Sequence, residues 1–373
     1  MTNETWTIKS ALEWTEGYLG DKGDENPRLS AQWLLSEATG LSRMHLFVNY
    51  DRPLSEDERA LLRGYVKRRG AGEPLQYITG EVIFRHITVK VRPGVLIPRP
   101  ETEVLVSEVL AALPAPGPRE AQWNTEAAAQ EREAVEALKK AVEEASEALS
   151  ENQRSADEVR SPDDSAGGDS GRPSSSESVP ADEVGLKSAP TEEAEPAGKN
   201  LLVADLCTGS GCIACSLAYE HPAIRVIATD IAPEAVELAK ENAEALGLSD
   251  RVAVLQCSLG SGIGAKRLGT FDAVVSNPPY VPTSVLPEIP REVANFEPAL
   301  ALDGGEDGLA LFLPLAEWAA SALKPGGLLA CELFEDHMDA AAAIAQAYGF
   351  TDIRIVNDLT DRPRILLARK ETL

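Results

Sequence analysis

From Asn200 onward the chain alternates short apolar runs with helical periods, and this alternation constrains the fold more than any other feature. Residues 201–206, 225–229, 251–256, 271–276 and 328–333 read as strands. Residues 211–219, 233–246, 308–323 and 336–348 read as helices, the third capped by Lys324-Pro325-Gly326-Gly327. Two last strands are expected at 351–356 and 364–368. Strands joined by crossover helices run parallel, so repeated units of this kind build a mostly parallel, doubly wound sheet. Ligands of such sheets bind outside the carboxyl ends of the strands.

Two of those ends carry chemistry. After the strand at 271–276 comes Ser276-Asn277-Pro278-Pro279-Tyr280. Two prolines cannot continue a ladder, because proline fixes φ and has no N–H. The chain leaves the sheet abruptly there, presenting an amide side chain, rigid carbonyls and an aromatic ring. The Asn277 side-chain oxygen and the Pro278 carbonyl are two acceptors, able to hold both hydrogens of a planar –NH2 group while Tyr280 stacks on its face. The plain alternative is a strand-ending turn. The first strand runs into Asp205-Leu206-Cys207-Thr208-Gly209-Ser210-Gly211-Cys212, whose glycines let a ligand approach the backbone. A third fingerprint glycine would fall at Ala214, so the match to a dinucleotide loop is weak and suits a ligand without a pyrophosphate. Asp230 ends the second strand, where a carboxylate can accept ribose hydroxyls or cap the following helix.

The rest of the chain divides by composition. Residues 1–72 are helical by pattern, with apolar faces at Trp6–Leu19, 28–38 and 56–69; Ser55 and Glu58 form a capping box at the last. This small unit is either a packing domain or a recognition domain for a macromolecule, and the second is favoured because the α/β fold needs no such unit for its own core. Residues 73–98 change period: Ile83, Ile87, Val89 and Val91 alternate as in a hairpin. Pro98 and Pro100 bracket Arg99, which is held extended, and Pro100 suits the first turn of a helix over 99–113. Arg99 and Glu103 are either an exposed helix-start pair or a wall of the site. Residues 114–199 hold 20 acidic and 9 basic residues and little that is aromatic. A solvated helix is expected at 126–149; the remainder to 198 buries too little apolar area to order, so the stretch reads as an insertion. Residues 200–373 form the α/β domain.

Charge and cysteine usage narrow the class. A net charge of −25 brings no counterion-release affinity for nucleic acid, so a protein or small-molecule substrate is expected and no stable nucleic-acid partner. No run of about 18 apolar residues suggests a membrane span, and the first residues do not resemble a signal peptide, which points to the cytoplasm. Five cysteines fit a reducing compartment. Cys207, Cys212 and Cys215 have an iron–sulfur spacing, but in a strand–turn–helix they read as apolar filler. The four histidines are isolated, and no metal is expected.

The Asp205–Gly211 turn, the acid after the second strand and Asn277-Pro278-Pro279-Tyr280 together resemble a class I S-adenosylmethionine-dependent methyltransferase, a Rossmann-like, mostly parallel seven-stranded sheet. Further motifs occur in order: Pro74-Leu75-Gln76-Tyr77-Ile78-Thr79-Gly80, Leu96-Ile97-Pro98-Arg99-Pro100-Glu101-Thr102-Glu103, Phe296-Glu297-Pro298-Ala299-Leu300-Ala301-Leu302, Gly304-Gly305-Glu306-Asp307-Gly308-Leu309 and Asp358-Leu359. This set resembles the peptide chain release factor glutamine methyltransferases, the PrmC/HemK family, over almost all of the chain except 114–199. The resemblance implies a small N-terminal helical domain, a hairpin linker and a monomer that uses S-adenosylmethionine. Its implied substrate is the glutamine of the Gly-Gly-Gln loop in bacterial release factors, methylated on its side-chain nitrogen in the service of translation termination.

The resemblance also implies roles. Cys207, Thr208, Gly209, Ser210 and Gly211 would line the methionine part of the cofactor, Asp230 would hold its ribose, and Cys257, Ser258 and Leu259 would flank its adenine, with Asp205 and Ile231 also among the cofactor-binding residues. Asn277, Pro278, Pro279, Tyr280, Arg99 and Glu103 would bind the substrate, with Asn277 and Pro278 catalytic and Asn277 also near the cofactor. Cys207 stands where the family has glycine, Ser258 where it commonly has aspartate, and Phe334 where it commonly has glycine. A glutamine methyltransferase on a ribosomal protein, an adenine-N6 methyltransferase on nucleic acid, and a non-catalytic module keeping the fold are the competing readings.

Overall fold

In the computed structural model, which describes residues 6–115 and 200–372, local chemistry sets where the N-terminal helices begin. Ser55 Oγ accepts from the Glu58 N–H at 3.1 Å, and the Glu58 carboxylate accepts from the Ser55 N–H at 2.8 Å. The pair satisfies two amide donors that a helix start leaves open. The five helices of this region are α1 (Ile8–Asp21), α2 (Pro27–Thr39), α3 (Arg43–Val48), α4 (Glu56–Gly70) and α5 (Leu75–Thr79). Helices α3 and α5, of six and five residues, escape the sequence reading because they are too short to show an apolar period. Ile8, Leu12 and Leu19 pack on Leu34, Leu35, Leu46, Leu62 and Val66, a core of its own.

Strands β1 (Glu81–Phe84) and β2 (Ile87–Lys90) form the antiparallel hairpin read from the alternation. Helix α6 (Pro100–Ala112) follows, with Pro100 at its first turn and Glu101 and Glu103 beside its positive end. The helix expected at 126–149 and the unordered stretch expected to 198 lie outside the described residues. Seven strands then build one sheet: β3 (Leu201–Leu206), β4 (Ile224–Asp230), β5 (Val252–Gln256), β6 (Phe271–Ser276), β7 (Leu323–Glu332), β8 (Phe350–Asn357) and β9 (Pro363–Lys370). Their order is β5-β4-β3-β6-β7-β9-β8. Strands β3 to β7 are mutually parallel, and β9 runs antiparallel to both neighbours.

Helices α6, α7 (Cys212–Glu220) and α8 (Pro233–Ala245) cover one face through Leu105, Val109, Ile213, Leu217 and Val236. Beyond the short α9 (Arg291–Phe296), helices α10 (Phe312–Ala322) and α11 (Met338–Ala347) cover the other through Phe312, Leu315, Ala319, Ala341 and Ala345. Apolar layers on both faces explain why the strands read as nearly unbroken hydrophobic runs. Two boundaries differ from the sequence reading. Helix α10 starts at Phe312 rather than at Gly308, whose φ of +69° is not helical. Lys324-Pro325-Gly326-Gly327 is not a cap but part of β7, which pairs from Leu323 with Phe271 across a register shift.

Strand β3 lies between β4 and β6, and the connections leave it in opposite directions. That divergence opens a crevice at the carboxyl ends of these strands. The N-terminal elements are tied to this frame by partly buried ion pairs. Arg85 of the hairpin turn donates to both carboxylate oxygens of Glu220, at 2.6 and 2.7 Å. Arg69 of α4 pairs with Asp24 at 2.7 Å and with Glu292 of α9 at 2.9 Å.

Candidate active site

The turn after β3 is held in shape from within. The Asp205 carboxylate is fully buried; Oδ2 accepts from Thr208 Oγ1 at 2.6 Å and from the Ala214 N–H at 3.1 Å, while Oδ1 has no partner among the described residues. Burial pushes its carboxyl up to about 7, against the pull of those two donors. Cys207 takes a left-handed φ of +58°, which explains why glycine suits this position. Gly211 has no room for a side chain, since a Cβ there would sit 3.0 Å from Ala239 Cβ in α8. The turn and α8 therefore touch directly. Asn242 of α8 strengthens that junction: its Nδ2 donates to Ser210 O at 2.8 Å and to Lys90 O at 3.1 Å, and its Oδ1 accepts from the Lys90 N–H.

Asp230 stands at the end of β4, and each of its oxygens accepts one backbone N–H. Gly209 donates to Oδ2 at 2.9 Å and Ala232 to Oδ1 at 3.0 Å. Burial raises its carboxyl from the ordinary value, and these donors oppose the rise. Helix α8 begins with Ala232 as its N-cap residue, so Asp230 is not its cap.

A cavity opens between these two ends. Cys207, Thr208, Gly209, Ser210, Asp230, Ile231, Ser258 and Leu259 line it, with Val95, Pro98, Arg99 and Thr102 from before the insertion and Leu300 from after α9. Asn277 and Pro279 close the end beyond β6. The two outer walls are stapled together by Glu297: Oε1 accepts from Arg99 at 2.5 Å, and Oε2 accepts from the Ile97 N–H at 3.2 Å.

The orientation of Asn277 is set by a chain of hydrogen bonds. Ser276 Oγ first ties the end of β6 to Leu206 O of β3 at 2.6 Å. Asn277 Nδ2 then donates to Thr102 Oγ1 at 2.9 Å, and the Thr102 hydroxyl donates to Glu332 Oε2 at 2.7 Å. Tyr280 donates to the other oxygen, Glu332 Oε1, at 2.9 Å. Asn277 Oδ1 is buried without a partner among the described residues. Burial raises the Glu332 carboxyl, and both hydroxyl donors and Arg364 oppose that rise. Beyond Tyr280 the backbone is gripped again. Val281 pairs with Leu302 and Gly304, and a Cβ on Gly304 would fall 2.7 Å from Tyr280 Cα, so only glycine lets these segments touch.

Two family descriptions match: the PrmC N-terminal domain over residues 10–80 and the methyltransferase small domain over residues 192–288. The release factor glutamine methyltransferase of Geobacter sulfurreducens is 34% identical over 98% of this chain and 98% of its own. The protein so named from Caulobacter vibrioides is 32% identical, over 99% of this chain and 98% of its own. That from Moorella thermoacetica is 34% identical over 97% and 98%. The chain belongs to the release factor glutamine methyltransferase family.

Residues from the 96–103, 277–280 and 296–302 motifs meet at the cavity with the turn after β3, whereas none from 74–80, 304–309 or 358–359 lines it. Of the residues singled out in the sequence, Cys207, Thr208, Gly209, Ser210, Asp230, Ile231, Ser258, Leu259, Asn277, Pro279 and Arg99 line it. Asp205 and Gly211 do not; they shape the turn beneath it. Pro278 is buried behind the lining. Tyr280 does not line the cavity either. Its hydroxyl is spent on Glu332, and the Arg364 guanidinium lies 5.7 Å from its ring centre, which makes it an anchor of the turn rather than an open stacking face. Glu103 faces the hairpin, where its carboxylate accepts from the Arg85 N–H at 3.2 Å, so it is no wall of the site. Thr102, Glu297 and Glu332 escape the sequence reading as site residues. Thr102 and Glu297 stand within motifs of the family resemblance and Glu332 within an expected strand, but nothing in a linear pattern says which partner each one finds.

Cys212 and Cys215, part of the iron–sulfur spacing, are buried in the apolar layer of α7, where burial pushes the Cys212 thiol up to about 12. Among the described residues no helix is long and apolar enough to cross a membrane.

Proposed function

We propose that this chain transfers a methyl group from S-adenosylmethionine to the side-chain amide nitrogen of the glutamine in the Gly-Gly-Gln loop of bacterial peptide chain release factors. The observation that carries this reading is Asn277 Oδ1, a buried acceptor without a partner on a residue that lines the cavity. A buried acceptor left open costs about 1–3 kcal/mol, so its natural use is to meet a donor brought by a ligand. The names of the full-length relatives supply the kind of ligand, a release factor glutamine.

The residues around the cavity fit the cofactor. Each Asp230 oxygen has accepted one N–H and keeps lone-pair capacity for a ribose hydroxyl. Ile231 and Leu259 supply apolar walls for a base beside Ser258, and the Cys207–Gly209 backbone suits the amino-acid end. When bound, S-adenosylmethionine supplies an electrophilic methyl group on a sulfonium.

The chain's own residues handle the nucleophile. An amide nitrogen is weak because its lone pair is delocalised into the carbonyl. Asn277 Oδ1 at the cavity accepts one of its N–H groups, and the carbonyl of Pro278, which is not itself a lining residue, is assigned the other, so that together they hold the nitrogen in one orientation. Both acceptors also favour positive charge as it develops on that nitrogen. The proton departs to solvent after the new bond has formed, so no strong base is needed first. Rigid prolines and the grip on Tyr280 matter because roughly 1 Å of misplacement can cost about 10²-fold in rate.

Mass spectrometry of a release factor incubated with this protein and S-adenosylmethionine tests the reading. One added methyl on the Gly-Gly-Gln glutamine is expected. An unmodified release factor beside methylated ribosomal protein or nucleic acid would overturn it.

A further inference from the structure

We propose that Thr102 and Glu332 are positioning residues that fix which end of the Asn277 amide meets the substrate nitrogen. The inference rests on the reading of Asn277 Oδ1 as the acceptor of the substrate amide. An amide is nearly symmetric in shape, and either end can face the cavity. With Oδ1 inward the substrate –NH2 finds an acceptor; with Nδ2 inward two donors oppose each other.

The hydrogen-bond chain chooses between these states. Glu332 as a carboxylate can only accept, and it is almost fully buried. It therefore takes the hydroxyl hydrogen of Thr102 on Oε2 and that of Tyr280 on Oε1. With its hydrogen committed, Thr102 Oγ1 can only accept from Asn277, and the group it accepts from is Nδ2. Oδ1 is left free by elimination. A donor at position 332 would undo this logic. It could donate to Thr102, whose hydrogen would then turn to Asn277 and draw the amide oxygen away from the substrate. Thr102 comes from α6, Asn277 follows β6 and Glu332 ends β7, so the arrangement links three elements of the fold.

Two protonation states of Glu332 follow from the same geometry. The charged groups bearing on it are Arg364 and Glu101, with the Cys212 thiol also close. Burial raises its carboxyl, so it neutralises at a higher pH than an ordinary glutamate. The neutral acid carries a donor proton and no longer enforces the orientation. Turnover should fall as the pH drops through this titration.

The test uses the full chain with Glu332→Gln, Thr102→Val and Thr102→Ser. Glu332→Gln keeps shape and removes the charge, and Thr102→Ser keeps the hydroxyl. In methyl transfer to a release factor, kcat should fall about 10- to 100-fold for Glu332→Gln and for Thr102→Val. KM should change less than about threefold in both, and Thr102→Ser should keep kcat within about threefold. Because the residues act through one chain, the double variant should be no worse than the weaker single one. The acid limb of kcat should vanish in Glu332→Gln. Independently of any substrate, nuclear magnetic resonance of asparagine labelled with 15N should show the Asn277 side-chain pair shifted in Glu332→Gln and unchanged in Thr102→Ser. A wild-type Asn277 signal and full kcat in Glu332→Gln, or additive losses in the double variant, would overturn the proposal. Failure of the wild type to methylate a release factor would sink the functional reading instead, and the resonance measurement would still decide the positioning role.

Discussion

Replacing Asn277 by alanine should nearly abolish activity and leave stability almost untouched. The buried, unpartnered Oδ1 is an unfavourable group in the free protein, and its removal returns about 1–3 kcal/mol. The opposing loss is the bond from Nδ2 to Thr102, about 1 kcal/mol, with the packing of a half-buried side chain. The two nearly cancel. The unfolding free energy should therefore change by no more than about 1 kcal/mol, where a hydrogen-bonded buried residue would lose more. Urea denaturation followed by circular dichroism measures this, with the slope of the transition checked so that only the midpoint is compared. Methyl transfer should fall by about 10²–10³-fold, the scale for losing one aligned polar group at a developing charge. A stability loss above about 3 kcal/mol would refute the claim that Oδ1 is unpaired in the free protein. Near-normal turnover would remove Asn277 from the reaction altogether.

Three further outcomes follow from the geometry. Arg69→Met should cost about 2–3 kcal/mol, because it strands the Asp24 carboxylate that the guanidinium holds at 2.7 Å. Burial alone would raise that carboxyl, but Arg69, Ser30 and the Asn26 N–H outweigh it and hold Asp24 below its ordinary value. A depressed carboxyl contributes stability above its unfolded pKa and loses it as pH falls through the folded one. The gap between wild type and Arg69→Met in urea titrations should accordingly be full near neutrality and shrink in acid. At Cys207, the glycine variant should be more stable than the alanine variant by about 1 kcal/mol, the reverse of the usual order, because φ is +58° there; thermal melts of the two compare them directly.

Much of this architecture is written in local pattern. The alternation after Asn200 gives the parallel sheet, because strand and helix periods depend only on near neighbours. The capping box at Ser55 and the prolines around Arg99 place helix starts for the same reason. Where the reading errs, a contact between distant segments decides. Lys324-Pro325-Gly326-Gly327 looks like a helix stop, but Leu323 pairs with Phe271, more than fifty positions earlier, and draws the stretch into β7. Asn277 is legible as a site residue because its strand and its prolines are its neighbours in sequence. The direction its amide faces is not, since that depends on Thr102 and Glu332. Tyr280 looks like a stacking face until Glu332 and Arg364 are seen to hold it. Glu103 looks like a site wall until the hairpin claims it.

The bonds that shape this site join residues far apart along the chain. Thr102 and Glu332 are separated by 230 positions, Ile97 and Glu297 by 200, and Thr102 and Asn277 by 175. Contacts of that separation are expected to form late during folding, because the entropy of closing long loops must be met before they bring any return. On refolding, helices closed by local bonds should therefore be recovered before Asn277 acquires its fixed direction. Recovery of turnover should then lag recovery of the far-ultraviolet circular dichroism signal, and coincidence of the two would show that these bonds form together with the rest of the fold.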